Sequence, residues 1–344
     1  MKAKIAINGY GRIGQCVLRA LYETGRYNGL TLVAINDLAP PETIAHLTRY
    51  DSTHGRFARE LSLKGRELSV GGDPIALFNE VEVERLPWGE LGIDLVLECT
   101  GTISTGEEAR RHLAAGGERV LLSQPGVSGI DRTVIYGFNE DTITGDERVV
   151  SNASCSTNCI VPVIAALDER FGIESGTITT VHSAMNDQPA VDVSHHSDLR
   201  RSRSAMQSII PVETKLAMGI DKLLPHLAGR FSAIAMRVPT LNVSVITLAA
   251  VLGSKASASE VNAYLKEVSA DRFEGVLGYT EEPLASCDFN HDPRSAVVDG
   301  TQTRVAGENL LKIFCWFDNE WGYANRLLDV AGCWLGRVNE VRER

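Results

Sequence analysis

The sequence predicts an α/β protein of two domains, and three observations predict it. The N-terminus reads strand, glycine turn, helix. The rest of the first half carries short runs that are apolar throughout, as strands buried on both faces of a parallel sheet are. The second half turns to long segments rich in Val, Ile and Thr. Several of these alternate apolar with polar residues, as in an antiparallel sheet covered on one face by helices. With 344 residues and 44% hydrophobic content, the chain has material for more than one core.

The first element is the apolar run Ile5, Ala6, Ile7, followed by Gly9, Gly11 and Gly14 in the order G-x-G-x-x-G. Val17, Leu18 and Leu21 follow at helical spacing. Glycines let the main chain approach a pyrophosphate, and the helix start offers free N–H groups and a positive dipole end. The motif is weak alone, but a second strand, "LTLVAIND", ends at Asp37, 23 residues beyond Gly14. A carboxylate near that spacing accepts hydrogen bonds from ribose hydroxyls and repels a 2′-phosphate, which favours NAD over NADP. "IDLVLECTG", "ERVLLSQPG", "TVIYGFNE" and "RVVSNAS" read as further strands, with a helix over 107–115 between the first two. Thr100, Gly101 and Ser123 lie just past strand ends, the edge where open α/β sheets bind ligands. Each reads equally well as an ordinary turn residue.

A helix over 155–171 opens the second half and leads into the strand "TITTVH". A loop-rich stretch runs to about Met206, and the β-rich segments "FSAIAMRVPTLNVSVITLAAVLG" and "RSAVVDGTQTRVAGENLLKIFCWFD" follow. Between them Ser257 and Glu260 form a capping-box pattern. The last helix places Leu327, Leu328, Ala331, Trp334, Leu335 and Val338 on one face, a stripe that reads as core packing. No linker separates the halves, so the active site is expected between them.

Composition excludes several classes. A net charge of −10 argues against a generic nucleic-acid or membrane binder. No apolar run is long enough for a transmembrane helix. "MKAKIAINGYG" enters a strand at once, without the apolar stretch or cleavage site of a signal peptide. Seven cysteines, an odd number, do not form a disulfide framework, and a reducing cytoplasm is the expected location.

Two cysteines stand four residues apart in "SNASCSTNC". With Ser154 as N-cap, Cys155 falls in the first helical turn, where the dipole favours a thiolate and a lowered thiol pKa is expected. Cys159 lies one turn further in and reads as packing. Pro162 cannot donate to the carbonyl of Asn158 and should bend the helix. No CxxC or HxxxH accompanies the pair, so no metal is expected, and an i, i+4 helical pair does not suit a resting disulfide. The nonapeptide alone leaves two inert thiols as an equal reading. His182 closes "TITTVH" 27 residues after Cys155. It is the best-supported partner, as an ion pair with the thiolate and then a proton carrier, although a lone histidine is more often structural. Positive charge clusters at Arg200, Arg201 and Arg203, which also reads as a solvated surface run. Lys215 follows Thr214. Arg237 sits in the apolar strand "AIAMRVPT", where a charge needs a partner or an anionic ligand.

With these residues in place, "INGYGRIG", "AINDL", "YDSTHGRF", "ECTG", "SNASCSTNC", "RVPT" and "DNEWGYANR" resemble landmarks of the glyceraldehyde-3-phosphate dehydrogenase family nearly end to end. The resemblance implies an NAD-binding Rossmann domain over 1–153 and an α/β catalytic domain over 154–318 with a mostly antiparallel sheet. It further implies a C-terminal helix over 319–344 returning to the first domain, and a homotetramer. It implies Cys155 as nucleophile and His182 as its base. Arg12 and Ile13 would meet the pyrophosphate with their main chain, Asp37 the ribose, and Asn319 the nicotinamide amide. Ser154, Ser156, Arg201, Thr214, Lys215 and Arg237 would contact substrate and phosphate. The implied chemistry is thiolate attack on an aldehyde, hydride transfer to NAD and a thioester on Cys155, with the Cys155 N–H helping to hold the oxyanion.

Some positions depart from the glycolytic pattern. Met185 stands where that pattern keeps a phosphate-binding threonine, and methionine cannot donate a hydrogen bond. Lys215 stands where glycine follows the threonine. "HSAM", "TKLAMG" and "DFNHDPRSAVVDGTQTRV" are similar instead to the erythrose-4-phosphate dehydrogenase subfamily, in which water releases the acyl group. Val81 stands where relatives commonly carry an arginine near the adenine, and Ser194 near where strictly NAD-dependent relatives often have proline, which leaves room for NADP that Asp37 argues against. The rival readings are a glycolytic or gluconeogenic enzyme, an NADP-linked acyl-phosphate reductase such as aspartate-semialdehyde dehydrogenase, and a non-catalytic NAD-binding redox sensor. Asp37 and "DNEWGY" count against the reductase.

Overall fold

The computed structural model describes residues 2–194 and 198–342. The chain forms two compact units, Met1–Ser154 with Tyr323–Arg344, and Cys155–Gly322. The breaks fall one residue after the expected 153/154 junction and within the first turn of the last helix rather than at 318/319.

In the first unit the elements run β1 (Ala3–Asn8), α1 (Arg12–Glu23), β2 (Leu30–Asn36), α2 (Pro41–Arg49), β3 (Tyr50–Asp51), β4 (Gly55–Arg56), β5 (Leu61–Lys64), β6 (Glu67–Val70) and β7 (Asp73–Phe78). There follow α3 (Trp88–Leu91), β8 (Leu95–Glu98), α4 (Gly106–Ala114), β9 (Val120–Leu122), β10 (Arg132–Thr133) and β11 (Val149–Ser151). Nine strands form one sheet in the order β10-β11-β9-β8-β1-β2-β7-β6-β5. The strands from β10 to β7 are parallel, and β6 and β5 fold back antiparallel. Ile5, Ile7, Leu95, Leu97, Leu121 and Val150 are fully enclosed, which is why the inner strands read as unbroken apolar runs.

Register decides what this unit presents. Asn8 pairs with Asn36 and with Glu98, and Glu98 with Leu122. The residues that follow, Gly9, Asp37, Cys99 and Ser123, therefore emerge beside one another at the carboxyl edge. One expected strand is not formed. "TVIYGFNE" yields only the two-residue β10, because the Asn139 side chain ties the segment into a turn. Its Oδ1 accepts from Ile135 N at 2.8 Å and its Nδ2 donates to Thr133 O at 3.0 Å.

The second unit contains α5 (Cys155–Phe171), β12 (Ile173–His182), β13 (Ile210–Val212), α6 (Leu216–Leu223), β14 (Phe231–Arg237), β15 (Ser244–Leu252), α7 (Ala258–Ala270), β16 (Leu277–Thr280), β17 (Ala296–Asp299), β18 (Arg304–Ala306) and β19 (Leu310–Phe317). The final helix, α8 (Trp321–Arg342), starts here and continues into the first unit. The sheet order is β13-β14-β12-β15-β19-β17-β16, with β18 on β19. It is mostly antiparallel, but β12 runs parallel to β14, and β16 to β17. The parallel pair sets His182 directly beside Arg237. The capping box at Ser257 and Glu260 is formed. Pro162 does not interrupt α5, which is buried on most sides, so packing outweighs the missing hydrogen bond. No helix among the described residues is long and apolar enough to cross a membrane.

Candidate active site

The carboxyl edge of the first unit is a main-chain cradle. Gly9 has φ +91°, and a Cβ there would lie 2.6 Å from Thr100 N. At Gly14 a Cβ would lie 2.3 Å from the Gly9 carbonyl oxygen. Gly11 precedes α1 with open space within 4 Å of a would-be Cβ, room that an incoming group can use. Two of the glycines thus close the loop and the third leaves it approachable. Arg12 and Ile13 open the helix with their N–H groups. The Arg12 guanidinium is held in a fork by Asp51, with N···O distances of 2.6 and 3.1 Å. Although burial raises the Asp51 carboxyl, the hydrogen bond from Arg12 holds it down at about 2.

Asp37 begins where β2 ends. Its Oδ2 accepts from Tyr10 N at 2.6 Å and its Oδ1 from Ala39 N at 2.8 Å, so the carboxylate is fixed against the glycine loop. Thr100 is exposed, and its N–H donates to Glu98 Oε1 at 2.8 Å. Ser123 donates its N–H to the Glu98 carbonyl at 3.0 Å. Val81 and Ser194 are both exposed.

A buried polar chain, not anticipated from the sequence, pins these strand ends. Asn36 Nδ2 donates to Asn8 Oδ1 at 2.8 Å, and Asn8 Nδ2 to Glu98 Oε2 at 2.6 Å. His112 Nε2 meets the same oxygen at 2.9 Å, and Trp88 Nε1 donates to His112 Nδ1 at 3.0 Å. Indole only donates, so Nδ1 accepts and the imidazole proton sits on Nε2, facing the carboxylate.

The second unit builds its site from side chains. Ala153 turns the chain from β11 into α5 at φ +52°, a left-handed residue held by Ser151 Oγ on its N–H at 3.1 Å and Tyr323 OH on its carbonyl at 2.8 Å. Ser154, Cys155 and Ser156 follow, all half-buried. Cys155 Sγ lies 3.7 Å from His182 Nε2. His182 Nδ1 is 2.8 Å from the Ser183 carbonyl oxygen, which can only accept. The ring proton therefore sits on Nδ1, and the Nε2 lone pair faces the thiol.

Burial works against the expected thiolate–imidazolium pair. Burial pushes the Cys155 thiol up, and the Ser156 hydroxyl and amide and the Arg237 charge pull the other way without reversing it. Burial pushes His182 down to about 4. Desolvation disfavours both charged forms and opposes the pull of the helix terminus on the thiolate. Cys159 is fully enclosed 4.0 Å from the Cys315 carbonyl, and burial raises its thiol strongly.

Asn319 is also buried. Its Oδ1 accepts from Ser183 Oγ at 3.0 Å and Ser244 Oγ at 2.8 Å, which fixes the amide and leaves its NH2 as the donor. Val243, just before Ser244, sits at φ +66°, an outlier for a β-branched residue at the place that aims this serine. Neither serine carries a sequence signal, since each matters only through Asn319. Arg237 is buried and shares the Asp187 carboxylate with Arg201. Arg237 NH1 to Asp187 Oδ1 and Arg201 NH1 to Asp187 Oδ2 are both 3.2 Å. Thr214 Oγ1 accepts from Leu216 N at 3.2 Å at the start of α6, and Lys215 is exposed beside it. The sequence marked Arg237 as needing a partner but did not mark Asp187 as that partner.

The glycine cradle suits a dinucleotide pyrophosphate, and the thiol–imidazole pair suits covalent chemistry on an electrophilic carbon. Comparison with protein-family models agrees. Residues 3–106 match the glyceraldehyde 3-phosphate dehydrogenase NAD binding domain, and residues 154–319 match the C-terminal domain of the same family. The chain belongs to the glyceraldehyde 3-phosphate dehydrogenase family, NAD-dependent oxidoreductases acting on phosphorylated aldehydes.

Proposed function

We propose that this family member oxidises D-erythrose 4-phosphate to 4-phosphoerythronate, with water releasing the product, as a step toward pyridoxal phosphate. The observation that carries this reading is Met185. An exposed thioether occupies the position where phosphorolysis calls for a hydroxyl donor. Hydrolysis needs an anion pocket only for the substrate's own phosphate.

In this reading Cys155 is the nucleophile and His182 its general base. Sγ attacks the aldehyde carbon as its proton passes to His182 Nε2, and the Cys155 N–H meets the developing oxyanion. NAD, when bound, would supply the hydride acceptor for that carbon. Gly9, Gly11, Gly14, Arg12 and Ile13 would hold its pyrophosphate through main chain, Asp37 its ribose, and Asn319 its carboxamide, with Thr100 and Ser123 also lining its site. Ser154, Ser156, Arg201, Thr214, Lys215 and Arg237 hold the substrate. Once the thiol proton has passed from His182 Nε2 to solvent, His182 takes a proton from water as the water oxygen attacks the Cys155 thioester. Exposed apolar residues along one loop region (Met185, Val191, Leu199, Met206 and Ile209) support a homotetramer that covers them. All seven cysteines are free, which supports a cytoplasmic location.

The deciding experiment measures NADH formation from erythrose 4-phosphate and from glyceraldehyde 3-phosphate, each with and without inorganic phosphate. The reading expects erythrose 4-phosphate to be preferred and phosphate to be dispensable. Strict phosphate dependence with glyceraldehyde 3-phosphate far preferred would make the protein a glycolytic or gluconeogenic enzyme.

A further inference from the structure

We propose that Asp318 is a positioning residue for the nicotinamide of the cofactor, acting through Asn319. This rests on the reading that the Asn319 NH2 takes the nicotinamide carboxamide, and it supplies what holds that NH2 in place. A short relay sets the direction of the amide. Ser183 N donates to Ser244 Oγ at 3.1 Å, and that hydroxyl in turn donates to Asn319 Oδ1 at 2.8 Å. Ser183 Oγ donates to the same oxygen at 3.0 Å. Hydroxyls can aim an amide only where the main chains that carry them are fixed against its own. Ser244 opens β15, whereas Asn319 lies between β19 and α8. Asp318 joins the two. Its buried carboxylate accepts through Oδ2 from Asn242 Nδ2 at 2.8 Å, two residues before Ser244. Through Oδ1 it accepts from Glu320 N at 2.9 Å and Trp321 N at 2.8 Å, just after Asn319.

The segment "DFNHDPR" closes on the same carboxylate. His291 stands at φ +70°, and its N–H donates to Asp318 Oδ2 at 2.7 Å. Its ring stacks on Trp321 with centroids 3.6 Å apart and planes 20° apart. Asn290 Oδ1 accepts from Asn242 Nδ2 at 2.8 Å, and Phe289 packs with Val243 in one apolar cluster. Among the described residues of this unit, Val243 and His291 are the non-glycine positions in the left-handed region. Both are tied to Asp318, Val243 through its neighbour Asn242 and His291 directly. Such backbone persists only where the surroundings over-determine it, and it gathers at functional sites. A helix cap alone would need only the Oδ1 contacts to Glu320 N and Trp321 N. The Oδ2 contacts reach two strained loops instead, and what they fix together is the place of Asn319 against Ser244.

The test titrates NAD, and ADP-ribose as the same ligand without its carboxamide, into the wild type, Asn319→Ala, Asp318→Asn, Asn242→Ala and the double variant Asp318→Asn with Asn319→Ala. Whichever way the new amide of Asp318→Asn faces, its NH2 meets donors that the carboxylate accepted. The ratio of NAD to ADP-ribose affinity reads the carboxamide contact. Binding stoichiometry counts folded sites, so a misfolded fraction does not enter that ratio. The expected result is a ratio lowered about tenfold in Asn319→Ala and by a similar factor in Asp318→Asn, less in Asn242→Ala, with ADP-ribose affinity kept throughout. The double variant should fall no lower than Asn319→Ala alone, because both changes remove one contact. A ratio lowered in Asn319→Ala but unchanged in Asp318→Asn would overturn the role of Asp318 and leave that of Asn319 standing. Equal loss of both ligands in Asp318→Asn, or losses that add in the double variant, would do the same. A ratio unchanged in Asn319→Ala would overturn both roles.

Discussion

The cradle of the first unit and the thiol pocket of the second are built by opposite means. In the cradle, recognition falls to the main chain. Gly9, Gly11 and Gly14 clear the way, while the Arg12 and Asp37 side chains are tied to Asp51 and to Tyr10 N. In the pocket, chemistry falls to side chains delivered by separate elements: Cys155 from α5, His182 from β12 and Arg237 from β14. A main-chain site tolerates changes of charge nearby but not added volume. A side-chain site tolerates modest volume changes but not the loss of one functional atom. The first is governed by packing, the second by desolvation and protonation.

The sharpest way to break this contrast is Cys155→Ala. NADH formation should fall about 10⁴-fold or more while NAD binding, read by titration, stays intact. A matching loss of NAD affinity would show that the pocket thiol also supports the cradle.

His182→Asn should lower kcat/KM about 10³-fold. The wild-type acid limb should lie near pH 4, the value to which burial lowers the imidazole, and should vanish in the variant. Stability follows with a fixed sign. The folded imidazole takes its proton only at about 4, whereas an unperturbed histidine takes it at 6.5. Between those values the unfolded chain binds more protons, so stability falls as pH drops from 6.5 toward 4 and is level above. Denaturant midpoints across that window should show a shallower slope in His182→Asn. An unchanged slope would locate the acid sensitivity elsewhere.

The smallest effects belong to the cradle and separate its glycines. Gly14→Ala drives a methyl group to 2.3 Å from the Gly9 carbonyl and should cost about 1–3 kcal/mol of stability together with NAD affinity. Gly11→Ala meets nothing within 4 Å and should keep the melting temperature while weakening NAD alone. Equal destabilisation by both would mean that the loop is constrained at Gly11 by more than its ligand.

Much of the cradle was legible because its information is local. The strand, the three glycines and the helix lie within 25 residues, and Asp37 follows on the next strand. The hairpins of residues 61–78 were not read, because short edge strands carry little periodicity. The 133–140 segment was misread as a strand because its apolar residues conceal a turn that Asn139 closes through two hydrogen bonds. Cys155 and His182 stood out by residue type and by place at element ends, but the burial that acts on their charges did not. A helix start is visible in sequence, whereas the desolvation that opposes it is not.

The sequence by itself determined the α/β class, the glycine cradle and Cys155 with His182 as the candidate pair, because each depends on neighbours along the chain. Only the tertiary structure decided that burial raises the Cys155 thiol and lowers His182, that Ser183 and Ser244 aim Asn319, and that Asp187 sits between Arg201 and Arg237. Those outcomes depend on desolvation and on distances between residues far apart in sequence. Both are fixed only when β12, β14 and β15 take their register and the core closes around them.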